Sequence, residues 1–113
     1  MTKICLSLPE ATERSSGRHS SYLVRTKKFA YFLDDHGGDG RLAVTTRAAP
    51  GQNSVLVDAD PRRYFIPAYT GPRGWVGYYL DVGRVDWDAV DDLVVESYLL
   101  AAPKKLAALV GGV

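Results

Sequence analysis

The run Gly71-Pro72-Arg73-Gly74-Trp75-Val76-Gly77-Tyr78-Tyr79-Leu80-Asp81 constrains the fold most, because a Pro/Gly turn opens directly into an aromatic, strand-like segment. An isolated strand or hairpin is marginal in water, so such a segment needs a sheet of neighbours and a hydrophobic face to pack on. Those neighbours are legible upstream. Ser20–Arg25 sets Tyr22 and Val24 against Leu23 and Arg25, and Lys27–Leu33 sets Phe29, Tyr31 and Leu33 against Ala30 and Phe32. A tight turn near Thr26-Lys27 joins the two. Asp34-Asp35-His36-Gly37-Gly38-Asp39-Gly40 is turn chemistry, with glycine available for positive φ, and leads into Arg41–Thr46. Turns this short join antiparallel strands, which predicts a three-stranded meander.

Helical signals frame the strands. Ile4, Leu6 and Leu8 end at Pro9, as a short N-terminal helix does before a residue that disfavours the helical region upstream. The Ser, Gly, Arg and Glu content of residues 10–21 reads as a connecting loop. Pro50 suits a first helical turn, with Val55, Leu56 and Ala59 on one buried stripe, and Asp60-Pro61 closes that helix. Tyr64-Phe65-Ile66 is a brief strand, and Pro67 to Pro72 a loop. Asp86 caps a helix over Trp87–Leu100, with Asp88 in its first turn and Trp87, Val90, Val94 and Tyr98 on one face. Pro103 restarts a helix whose apolar side is Leu106, Leu109 and Val110, stopped by Gly111-Gly112. The order α-βββ-α-ββ-αα predicts one α+β domain over residues 1–113, an antiparallel sheet of about five strands covered mainly on one face.

With 113 residues the chain buries a core of its own. No apolar run approaches the roughly 20 residues that cross a bilayer, and no signal-peptide stretch opens the sequence, so the expectation is a soluble, cytoplasmic, monomeric protein without membrane contact. The lone Cys5 suits a reducing compartment. A net charge of +1 gives no strong global field, yet the charges are unevenly spread. Residues 1–33 hold six basic and two acidic groups, residues 61–80 three basic and none acidic, and residues 81–100 six acidic and one basic.

Catalytic and metal chemistry find no constellation. His19 and His36 lack ligands at zinc spacing, and Asp34, Asp35 and Asp39 lack the closing Glu of a calcium loop. Asp86, Asp88, Asp91 and Asp92 fit capping and a solvated helix face, Cys5 fits a small buried hydrophobe, and no phosphate loop is present. The expectation is a non-enzymatic binding domain with no cofactor and no metal. Its candidate residues are Arg62, Arg63, Arg73 and Trp75, the hairpin cations Arg25, Lys27 and Lys28, and Lys104 at a helix start. Cations beside aromatic rings meet phosphates and stack bases, although the same rings also fill cores. Val76, Tyr78 and Leu80 share one face of their strand and Trp75, Gly77 and Tyr79 the other. Either set is compatible with the core.

Several stretches together resemble the MmcQ/YjbR family. They are Ser7-Leu8-Pro9-Glu10-Ala11-Thr12-Glu13, Lys28-Phe29-Ala30-Tyr31-Phe32, Ala59-Asp60-Pro61-Arg62-Arg63-Tyr64-Phe65, Gly71-Pro72-Arg73-Gly74-Trp75-Val76, Val85-Asp86-Trp87-Asp88, and Ser97-Tyr98 leading to Ala102-Pro103-Lys104-Lys105-Leu106. The resemblance implies a small α+β domain similar to secretion-chaperone-like and CyaY-like folds, a DNA-binding role, and a hairpin wing at Arg25, Lys27 and Lys28. The first helix is shorter here than the family pattern. The alternative role is a protein-interaction or chaperone-like module that uses the sheet face or edge.

Overall fold

The Trp75 run lies inside a sheet, as its length demands, in a computed structural model that describes residues 2–35, 38 and 40–111. The chain runs α1 (Thr2–Leu6), β1 (Ala11–Ser16), β2 (His19–Val24), β3 (Lys27–Asp34), β4 (Leu42–Arg47), α2 (Gln52–Ala59), β5 (Tyr64–Phe65), a 3-10 turn (Gly71–Arg73), β6 (Trp75–Tyr79), α3 (Trp87–Ala101) and α4 (Lys104–Gly111). The six strands pair antiparallel in the order β1-β2-β3-β4-β6-β5. The fold is thus the expected α+β class, with six strands where about five are expected.

The additional strand is β1, in the stretch read from sequence as a loop. It pairs with β2 from Ala11↔Val24 to Ser16↔His19, around a turn in which Gly17 takes φ 60. Five of its six side chains are exposed, so no apolar alternation marks it. An edge strand is held by its backbone ladder to one neighbour, and polar side chains there suit solvent.

β3 departs from strict alternation. Strict alternation places Phe29 with Tyr31, opposite Ala30. Tyr22 pairs with Ala30 but Leu23 pairs with Lys28, which leaves Phe29 as the extra residue of a bulge. Phe29 and Ala30 are both fully buried in the core, and Phe29 meets Tyr98 of α3 edge-on at 5.5 Å. Beyond the bulge, Tyr31 falls on the face opposite Ala30 and Phe32, and so does Lys28.

That core lies between one sheet face and the helices. Tyr22, Val24, Phe29, Val44, Val76 and Tyr78 from the sheet meet Val90, Val94 and Tyr98 of α3, with Cys5 and Leu106 closing its ends. Burial of each large apolar side chain contributes about 1.5–3 kcal/mol, so this layer carries most of the fold's stability. The open alternative about β6 is settled here: Val76 and Tyr78 face the core, with Leu80 packed against it, while Trp75 lies outside that cluster on the opposite face.

Asp86 caps α3 by accepting from the backbone N–H of Asp88 and Ala89 at 3.1 and 3.2 Å. Trp87 is exposed at that helix's start instead of joining the stripe of Val90, Val94 and Tyr98. In α2, Leu56 of the expected stripe packs against the core while Val55 and Ala59 are exposed, and the buried residue is Asn53, whose hydrogen bonds anchor the helix. Leu109 of α4 is likewise exposed. The expectations for His36, Gly37, Asp39 and Gly112 fall outside the described residues.

Candidate functional site

The sheet face turned away from α3 carries a cluster of cations and rings. Arg47 closes β4 beside Trp75, its register partner on β6, and its guanidinium carbon lies 5.2 Å from the Trp75 ring centroid. The Nε of Arg47 donates to the Lys28 carbonyl at 2.8 Å, which fixes the side chain along β3. Tyr31 tilts against Trp75 with centroids 5.3 Å apart, and the Lys28 ammonium lies 5.3 Å from the Tyr31 centroid. The β3 bulge makes this last contact possible, since it brings residues three apart onto one face.

Loop 66–74 completes the cluster. Pro72 lies in the 3-10 turn and Gly74 leaves it at φ 94, a left-handed conformation that glycine adopts without a Cβ penalty. Arg73 is held at the exposed end of that turn by its backbone N–H to the Thr70 carbonyl at 2.9 Å. Buried Asn53 of α2 supports the loop from behind, its Nδ2 donating to the carbonyls of Gly71 at 3.2 Å and Trp75 at 3.1 Å.

The outcome is a hollow of about 280 Å³ lined by Lys27, Lys28, Arg47 and Arg73 with Tyr31 and Trp75. Among the described residues none of these four cations is in an ion pair, since the ion pairs belong to Arg18, Arg25 and Arg41. Uncompensated positive charge beside rings attracts an anion, and the rings suit a planar group. Trp75 itself is 4% exposed, so it supports the floor rather than offering a free surface.

A second, apolar hollow of about 210 Å³ adjoins the first and shares Tyr31 and Thr70 with it. Leu33, Phe65, Pro67 and Tyr69 wall it. Phe65 occupies the space a Cβ at Gly77 would need, so Gly77 is what allows its ring to lie over β6. That ring stacks on Tyr79 at 4.5 Å, and Arg41 lies 3.7 Å from the Tyr79 centroid while pairing with Asp81 at 3.0 Å. The Arg41 hydrogen bond holds the Asp81 carboxyl below the usual carboxylate range.

Of the residues singled out in sequence, Lys27, Lys28, Arg73 and Trp75 meet here. The others lie apart. Arg25 pairs with Glu10 at 2.7 Å, and Arg62 is exposed beyond α2. Arg63 donates to the Tyr78 hydroxyl and to the Val82 carbonyl, a structural tie on the core side of β6. Lys104 opens α4, in the helical layer. Arg47, Tyr31 and Thr70 join the cluster without having been singled out; the pairing of Arg47 with Trp75 depends on register, which composition does not reveal. Cys5 is fully buried, and burial pushes its thiol up to about 12, which leaves it without a thiolate at neutral pH. Among the described residues no three His, Cys, Asp or Glu side chains gather as a metal site would need, and no helix is long and apolar enough to cross a membrane.

Residues 6–100 match the family model described as YjbR. The fold matches the crystal structure of Deinococcus radiodurans protein DR2400, with its family-model domain DUF419, at a TM-score of 0.72 and 22% identity over 96% of this chain and 83% of that one. At that identity the likeness speaks to the fold. No curated protein matches the sequence.

Proposed function

The chain belongs to the YjbR family, and on that premise we propose that it is a small cytoplasmic binding domain, acting as a monomer, that takes the phosphate backbone of nucleic acid on the open sheet face. The observation that carries the reading is the hollow lined by Lys27, Lys28, Arg47 and Arg73, cations outside any ion pair among the described residues. Phosphate contacts from Lys and Arg supply most sequence-independent affinity for nucleic acid. Binding is the role this lining favours, since cations, rings and two threonine hydroxyls together suit an anion joined to a planar group. The hairpin wing narrows in this reading to Lys27 and Lys28, since Arg25 is engaged with Glu10.

Fluorescence anisotropy with short DNA at low salt tests it. Binding is expected for the native chain, and the double change Lys27→Ala with Arg73→Ala, both exposed residues, should weaken it at least about tenfold if each contact carries the usual weight of a charge-assisted hydrogen bond. Full retention of affinity by that variant, or no binding by the native chain, overturns the reading. The alternative, a protein-interaction module on the same face, has the apolar hollow and the 89% exposed Tyr69 in its favour. Recovery of a nuclease-insensitive protein partner lost on Tyr69→Ala would support it.

A further inference from the structure

We infer that the apolar hollow beside the cation cluster receives one unpaired base of a single-stranded nucleic acid whose phosphates lie on Lys27, Lys28, Arg47 and Arg73. The inference rests on the nucleic-acid reading of the cluster and adds which form of nucleic acid it selects.

Continuity is the first argument. Tyr31 and Thr70 line both hollows, so an anionic group on the cations and an attached planar group in the apolar space share one wall. Shape is the second. Tyr31, Phe65 and Tyr69 surround the apolar space with rings, and every base has a π-face that stacks on rings without sequence preference. Size is the third: about 210 Å³ is below the roughly 300 Å³ at which sites for drug-sized ligands begin, so it holds one ring system and leaves sugar and phosphate outside. Charge complementarity chooses among apolar occupants, because a greasy peptide side chain gains nothing from four adjacent cations while a nucleotide uses both halves of the site. A paired base remains inside its duplex stack and cannot enter without being unstacked and unpaired.

The rings of β6 do not supply the contact. Trp75 is 4% exposed beneath Arg47 and Tyr31, Tyr78 is buried in the core, and Tyr79 stacks on Phe65. Tyr69, 89% exposed at the rim, is the free ring.

Three probes decide the matter by anisotropy at low salt: a short oligodeoxythymidine, an abasic strand of the same length, and a duplex of the same length. The expected order is oligodeoxythymidine tightest, by about tenfold over the abasic strand, the size of one base–aromatic stack. Tyr69→Ala, at an exposed position that costs the core nothing, should erase that advantage while leaving the abasic strand's affinity unchanged. Ala68→Leu, which narrows the hollow from another exposed lining position without adding a ring, should do the same. If the abasic strand or the duplex binds as tightly as the oligodeoxythymidine, or if both variants keep the native preference, the base site is overturned while the phosphate cluster stands. If no probe binds, the nucleic-acid reading fails and the base site with it.

Discussion

Ser97 is fully buried on α3, yet it steadies the strand that carries Arg47. Its hydroxyl donates to the Phe29 carbonyl at 2.5 Å, at the β3 bulge, and accepts from the Arg47 backbone N–H at 2.8 Å. Removing it by Ser97→Ala leaves a backbone donor and a backbone acceptor unmet, which should cost about 1–3 kcal/mol for each. Thr46 is the neighbour that makes the comparison sharp. Its Oγ1 is buried with no hydrogen-bond partner among the described residues, so Thr46→Val, nearly the same shape, should raise stability by up to about 1 kcal/mol. Urea unfolding of the two variants should therefore move the midpoint in opposite directions at an unchanged slope. A fall in both would mean that packing, not hydrogen bonding, decides these positions. Neither role can be read from sequence, since both hydroxyls sit among apolar residues and only the contacts tell them apart.

At the scale of elements, α2 acts on the site through one side chain. Asn53 joins the helix to the carbonyls of Gly71 and Trp75, and so sets loop 66–74, with Arg73 and Tyr69, against the sheet. Asn53→Ala should quicken amide exchange across residues 71–75, by the tenfold or more that about 1–3 kcal/mol per unmet carbonyl implies, while α3 keeps its protection. Equal loss of protection in α3 would mark Asn53 as a general stabiliser instead. The sequence names α3 and its Asp86 cap, the meander and the Trp75 strand, because each carries a periodic or turn signal of its own. It does not name β1, whose polar residues are held by the β2 backbone, or the bulge at Phe29, which breaks the alternation that strand reading relies on. The site inherits this pattern. Lys27, Lys28, Arg73 and Trp75 stand out by residue type, whereas Arg47 and Tyr31 enter through register and bulge, and Arg63 is drawn off to Tyr78 and Val82.

Across the whole molecule, charge is divided between faces rather than in excess. The net charge is +1, with Lys27, Lys28, Arg47 and Arg73 on the open sheet face and the exposed Asp88, Asp91 and Asp92 on α3 behind the sheet. The sheet and the core separate the two groups in a body 37 × 31 × 27 Å across, and the Debye length at physiological salt is about 8 Å. The α3 carboxylates are therefore screened from a ligand on the cations, and salt dependence should report the cluster and not the net charge. Single strands give a slope of about −0.7 in log K against log salt for each phosphate neutralised, so the four cations set a limit near −3. Lys27→Ala with Arg73→Ala should bring that slope to about −1.5. Asp91→Asn with Asp92→Asn changes the net charge by as much in the other direction, and should leave the slope as it is. If the two double variants shift it by equal and opposite amounts, binding follows the overall field, and the open sheet face has no special claim on the ligand.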